Sequence, residues 1–238
     1  MKTYFMLIDT ETTQDGMVAD FSATISDKKG NIVTQCAILI NGIFNDSVNH
    51  PLFFTSDRDG IWSKAGQDKR YDMYMAMLDN GTRSLASVNA INRWLEKAKA
   101  TYNPIMTAYN LPFDLHKCQN TGIDLTLFER RFCLWAASFT HWGKSKPFRQ
   151  FVLDSHAFNN PTEFGNMTYK TSAETMARFV LGDASLDNEP HTALEDIIGY
   201  ELPILNRLIR VRSNKWLLSE VVPYNWREIQ VKDWYKPR

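Results

Sequence analysis

Tyr4-Phe5-Met6-Leu7-Ile8-Asp9-Thr10-Glu11 is a short apolar run that ends in two acids. Its length and residue types read as a buried strand. Alternate strand residues point the same way, so Asp9 and Glu11 can converge on one site at the strand end. Downstream, Met17 to Ser26 alternates loosely, Asp27-Lys28-Lys29-Gly30-Asn31 is a turn signal, and Ile32 to Ile40 is rich in β-branched residues. Strands joined by two antiparallel hairpins follow from this pattern.

The rest of the chain alternates helix and strand. Asn41 to Asn80, broken by Gly42, Pro51, Gly60 and Gly66, reads as loops with a short helix over Tyr71 to Leu78. Ser84 opens a helix in which Leu85, Val88, Ile91, Trp94 and Leu95 recur at helical spacing. Ile105 to Tyr109 is a short strand, and Pro112 starts a helix that stops near Gly122. Phe132 to Ala136 reads as a further strand, Ser172 to Leu181 as a helix ended by Gly182, and His191 to Arg212 as one long helix. Pro203 inside that helix should kink or split it. Strands first, then helices alternating with strands, predict an α/β sheet whose first three strands form a meander.

The chain's 238 residues suit one large domain or one domain with an insertion, and 44% hydrophobic against 23% charged residues suits a globular protein with a core. No stretch reaches the roughly 20 apolar residues of a membrane span, and the apolar start is too short for a signal peptide. Cys36, Cys118 and Cys133 form no metal-ligand spacing and no even disulfide set, which suggests buried thiols in a reducing, cytoplasmic setting. A net charge of zero excludes coating of nucleic acid by bulk electrostatics, although a local groove stays open. Two windows are basic without an acid: Arg130 to Leu153 and Leu202 to Ser219. Each is either a groove wall or a solvated helix face. Residues 213–238 form an aromatic-rich tail with Trp216, Tyr224, Trp226, Trp234 and Tyr235, placed to pack on the domain, stack on bases or dock a partner.

Three acidic motifs carry the candidate chemistry. Asp9-Thr10-Glu11 offers hard oxygen ligands for a cation such as Mg²⁺, although an acid pair of this kind also arises by chance. Asp114, in Tyr109-Asn110-Leu111-Pro112-Phe113-Asp114, opens a helix after a strand; the plain alternative is an acid favoured there by the helix dipole, with Asn110 as N-cap. His191 and Asp196, in His191-Thr192-Ala193-Leu194-Glu195-Asp196, lie about 140° apart on a helix. Both can border one site only if His191 sits in a loose first turn.

In order and setting, these motifs resemble those of the DEDDh (DnaQ-like) 3′→5′ exonuclease family of the RNase H-like superfamily. The matches are Asp9 and Glu11 within Leu7-Ile8-Asp9-Thr10-Glu11-Thr12-Thr13, Asp114 in the second motif, and His191 with Asp196 in the third. Thr192 stands where the tyrosine version of the family has its Tyr, so the histidine version fits.

The resemblance implies an RNase H-like mixed five-stranded sheet with an antiparallel first meander and helices on both faces. It implies an exonuclease domain over residues 1–212, with insertions near 41–80 and 139–170. Asp9, Glu11, Asp114 and Asp196 would bind two Mg²⁺ ions, with Mn²⁺ able to substitute, and His191 would act as general base. Thr12, Thr13 and Phe113 would meet the terminal nucleotide. The implied partners are single-stranded DNA or RNA 3′ ends, with a homodimer or a polymerase as further possibilities. The implied activity is release of nucleoside 5′-monophosphates; a proofreading or accessory subunit, or a non-catalytic binding module of the same fold, are the alternatives.

Overall fold

A computed structural model describes residues 2–53, 63–161, 165, 167–211 and 226–231 of the chain. Strands β1 (Tyr4–Thr12), β2 (Val18–Asp27) and β3 (Ile32–Ile40) form the antiparallel meander read from the sequence. β4 (Ser84–Ala86), β5 (Ile105–Ala108) and β6 (Arg131–Cys133) complete a six-stranded sheet in the order β4-β3-β2-β1-β5-β6. β5 lies parallel to β1, β6 parallel to β5, and β4 parallel to β3. The extra strand over the expected five is β4, which takes the residues expected to open a helix. That helix, α2 (Val88–Tyr102), starts later, where the Ser87 side chain accepts a hydrogen bond from the Ala90 N–H.

Period-two alternation along β1 sorts its side chains onto two cores. Met6 and Ile8 pack on one face, beneath α1 (Lys64–Asp79), α2 and α3 (Leu111–Thr121), with Tyr74, Ile91, Leu95 and Cys118. Phe5 and Leu7 pack on the other, beneath α4 (Leu134–Ser138), α5 (Lys146–Asp154), α6 (Ala173–Leu181) and the last helical segments. Helices therefore cover both faces, as an α/β sheet requires. Phe132 to Ala136 is only half strand: β6 ends at Cys133, and α4 follows at once.

The expected long helix from His191 is three pieces. α7 (Ala193–Asp196) runs into one π turn (Ile197–Glu201), and α8 (Leu202–Leu208) follows with Pro203 in its first turn. Pro203 has no N–H for an interior helix bond, so the chain places it at a new helix start. His191 lies before α7 altogether, with φ of 55°. Small side chains on the facing side of β2, Ser22, Thr24 and Ser26, are all buried under this region.

The described part of the tail, 226–231, packs on the domain. Ile229 is buried, its carbonyl accepts from the Tyr169 N–H at 3.0 Å, and Val231 N–H donates to the Met167 carbonyl at 2.9 Å. Trp216, Tyr224, Trp234 and Tyr235 fall outside the described residues. Among those described, no helix is long and apolar enough to cross a membrane.

Candidate active site

The site forms at the carboxyl ends of the adjacent parallel strands β1 and β5, where open α/β sheets commonly hold ligands. Asp9 and Glu11 share the alternation of Phe5 and Leu7, so they belong to the face covered by α7, the π turn and α8. They sit within β1, because the strand continues to Thr12. Thr10 has the opposite alternation, toward α3, where its hydroxyl donates to Asp114 Oδ1 at 2.9 Å. Asp114 is thus tied, through a side chain, to the strand that carries the acid pair.

His191 and Asp196 meet Glu11: one ligand atom from each of the three lies within 4.8 Å of the others. The left-handed backbone at His191, uncommon for a residue other than glycine, replaces the first helical turn expected there. One cavity of about 320 Å³ is bordered by Asp9, Glu11, Asp114, His191 and Asp196 together. All five residues of the three motifs, drawn from separated segments, reach one space.

Two further acids border the same cavity, Glu189 and Glu201. Glu201 is buried and lies five positions past Asp196. On an α-helix that offset points it well away, about 140° round the axis. The wider π turn, with its i→i+5 bonding, returns it to the same side; such turns recur at functional sites. Glu189 sits two residues before His191, in the segment leading to the left-handed residue. Its proximity to His191 was the only sequence signal for it.

Burial raises every carboxylate in the cluster. It pushes Asp9 up to about 7, opposed by a backbone hydrogen bond at Thr10. Glu189 goes up to about 8, with Asp9 adding repulsion. Glu11 rises well above the usual carboxylate range despite Arg70. Asp114, Asp196 and Glu201 also rise well above it, through burial first and then the charge of Asp9. His191 moves the other way, down to about 4, because burial and the nearby Arg70 both disfavour its cation.

This donor set fits a divalent cation. Asp196 Oδ1 and Glu201 Oε2 are buried and have no hydrogen-bond partner among the described residues. Unpaired buried carboxylate oxygens are costly, and a hard cation satisfies them.

Among the described residues, the cations that border the site lie outside both basic windows. Arg70, on α1, pairs with Glu11 through Nη2–Oε2 at 2.7 Å. Lys117, on α3, sits 5.2 Å from the Phe113 ring centre. With Thr12 and Thr13 they border a second cavity of about 450 Å³, which shares Glu11, Phe113 and His191 with the first. The Thr13 hydroxyl is already bonded to Met17, donating to its carbonyl at 3.1 Å and accepting from its N–H at 3.0 Å. Phe113 is 42% exposed. Arg130, Arg131, Lys144 and Lys146 of the first window and Arg207 and Arg210 of the second are exposed.

A buried polar network fixes the approach of α7. Asp20, on β2, accepts hydrogen bonds from the Tyr74 hydroxyl and from the Ala193 N–H, each at 3.0 Å. Arg83 lies 3.5 Å from Asp20 and pairs with Glu195 at 2.5 Å.

No protein-family model and no curated protein matches the chain. Two solved structures are similar over 91% of it. One is E. coli exonuclease I in complex with a 5cy-dT13 oligonucleotide, at 14% identity, 42% of that chain covered and a TM-score of 0.46. The other is exonuclease I in complex with inhibitor BCBP, at 12% identity, 43% covered and a TM-score of 0.47. The chain spans less than half the length of either. A likeness of this depth decides nothing about chemistry, which rests on the residues themselves.

Proposed function

We propose that the chain is a metal-dependent 3′→5′ exonuclease that releases nucleoside 5′-monophosphates from single-stranded nucleic acid. One observation carries this reading: Asp9, Glu11, Asp114, His191 and Asp196 border a single cavity in which Asp196 and Glu201 present buried, unpaired oxygens. Asp9, Glu11, Asp114 and Asp196 would hold the ions, two Mg²⁺ or Mn²⁺, whose charge polarises the phosphodiester and acidifies water.

The protein's own groups supply the rest. His191, kept neutral near pH 7 by burial, is in the protonation state that would take the proton of an attacking water. Its backbone conformation sets the ring outside the helix and beside Glu11 and Asp196. Glu189 and Glu201, whose carboxyls burial raises, would add negative charge once a bound cation draws off their protons. In the second cavity the Thr12 hydroxyl is the better candidate for the terminal sugar, since Thr13 is engaged with Met17. The exposed Phe113 ring offers a stacking surface for an unpaired base.

The test uses oligonucleotides of DNA and of RNA, labelled at the 5′ end, incubated with the protein in Mg²⁺ or EDTA. A ladder shortening from the 3′ end in Mg²⁺ alone is expected. Internal cleavage, or no cleavage of either polymer with Mg²⁺ or Mn²⁺, overturns the reading.

A further inference from the structure

We infer that Arg70 is a phosphate-binding residue of this site, gripping the phosphate of the terminal nucleotide from beside Glu11. The inference rests on the exonuclease reading and adds to it a residue that belongs to neither the acidic motifs nor the basic windows.

Arg70 is 1% exposed, yet its side chain forms part of the wall of the second cavity. A buried guanidinium is costly unless its donors are used, and it carries five N–H groups. Nη2 donates to Glu11, whereas the Nε–H has no hydrogen-bond partner among the described residues. The group is also held in place. Its guanidinium carbon lies 3.8 Å from the centre of the Phe53 ring. Gln67, one helical turn earlier on α1, donates to the Phe53 carbonyl at 2.7 Å. A cation is therefore packed against an aromatic face, with an unused donor, beside a space that opens on the acidic cavity.

Charge identifies the ligand. A phosphodiester entering among so many carboxylates needs a positively charged donor close by to offset their repulsion. The planar guanidinium fork matches two oxygens of one phosphate, and a lysine does not reproduce that geometry. Lys117, which borders the same cavity by Phe113, adds a second positive charge for the same anion. Pairing with Glu11 alone does not explain the unused Nε–H.

The test is calorimetric binding of thymidine 5′-monophosphate and of thymidine to the full chain in Mg²⁺. The wild type should favour the monophosphate. Arg70→Gln should bind it at least tenfold more weakly while keeping its thymidine affinity. Equal losses for both ligands, or no loss, would overturn the inference. Should Arg70→Gln fail to fold, NMR of the wild type decides: the Arg70 Nε–H resonance, assigned by its absence from Arg70→Lys, should shift with monophosphate and not with thymidine. A resonance unmoved by monophosphate overturns the inference. None of these readouts needs cleavage, so inactivity toward oligonucleotides would count against the exonuclease reading separately.

Discussion

Asp20 on β2 accepts a hydrogen bond at 3.0 Å from the backbone N–H of Ala193, across 173 positions of sequence. The contact fixes the start of α7 two residues after His191. It holds because Asp20 is itself secured by Arg83 and by the Tyr74 hydroxyl. The sheet, the segment containing Arg83 and the helix α1 thus act together on the position of the candidate base.

Arg83→Met should destabilise the fold by about 3–5 kcal/mol, since it strands the fully buried Asp20 charge. Urea unfolding measures this. A loss below about 1 kcal/mol would show that Asp20 does not depend on its partner.

Asp196→Asn should raise stability in EDTA at pH 8 by about 1 kcal/mol while abolishing hydrolysis, because it removes one charge from a crowded acidic cavity. Thermal unfolding checks the first part. A lower Tm than the wild type in EDTA would mean that the carboxylates do not repel one another in the folded chain.

The metal-free protein should lose stability as pH rises from about 4 to about 8. Asp9 and Glu189 titrate near 7 and near 8 in the folded chain, and the other four carboxylates are raised as well. An unfolded carboxyl titrates near about 4, so the native state holds more protons through this window and the stability slope is negative. His191, lowered to about 4, works against this only up to about 6.5. Tm in EDTA should fall by several degrees between pH 5 and pH 8 and recover with Mg²⁺ more at pH 8. A flat profile in EDTA would contradict the clustering.

His191→Ala should cost roughly 10²–10⁴-fold in turnover and little in metal affinity. Calorimetry that shows metal binding abolished, with every carboxylate intact, would make His191 a ligand and not a base.

The sequence revealed most of this site through simple patterns. Alternation and length placed β1 to β3, and with them Asp9 and Glu11. Pro112 and Gly122 marked the two ends of the helix that carries Asp114. Other features had no local signal. β4 has three residues, too few to show alternation, and Leu85 and Val88 imitated one continuous helix. The π turn that recruits Glu201 is a departure from helical spacing produced by packing. Arg70, on α1, and Phe53 meet in the folded chain, which no spacing within Asn41 to Asn80 reveals.

The most direct measurement compares single-turnover hydrolysis of a single-stranded oligonucleotide by the wild type and by Asp9→Ala, each shown to be folded, in Mg²⁺. The account predicts removal of 3′-terminal nucleotides by the wild type and almost none by the variant. Equal rates from the two proteins would contradict it, because the cation site on which the chemistry depends would then play no part.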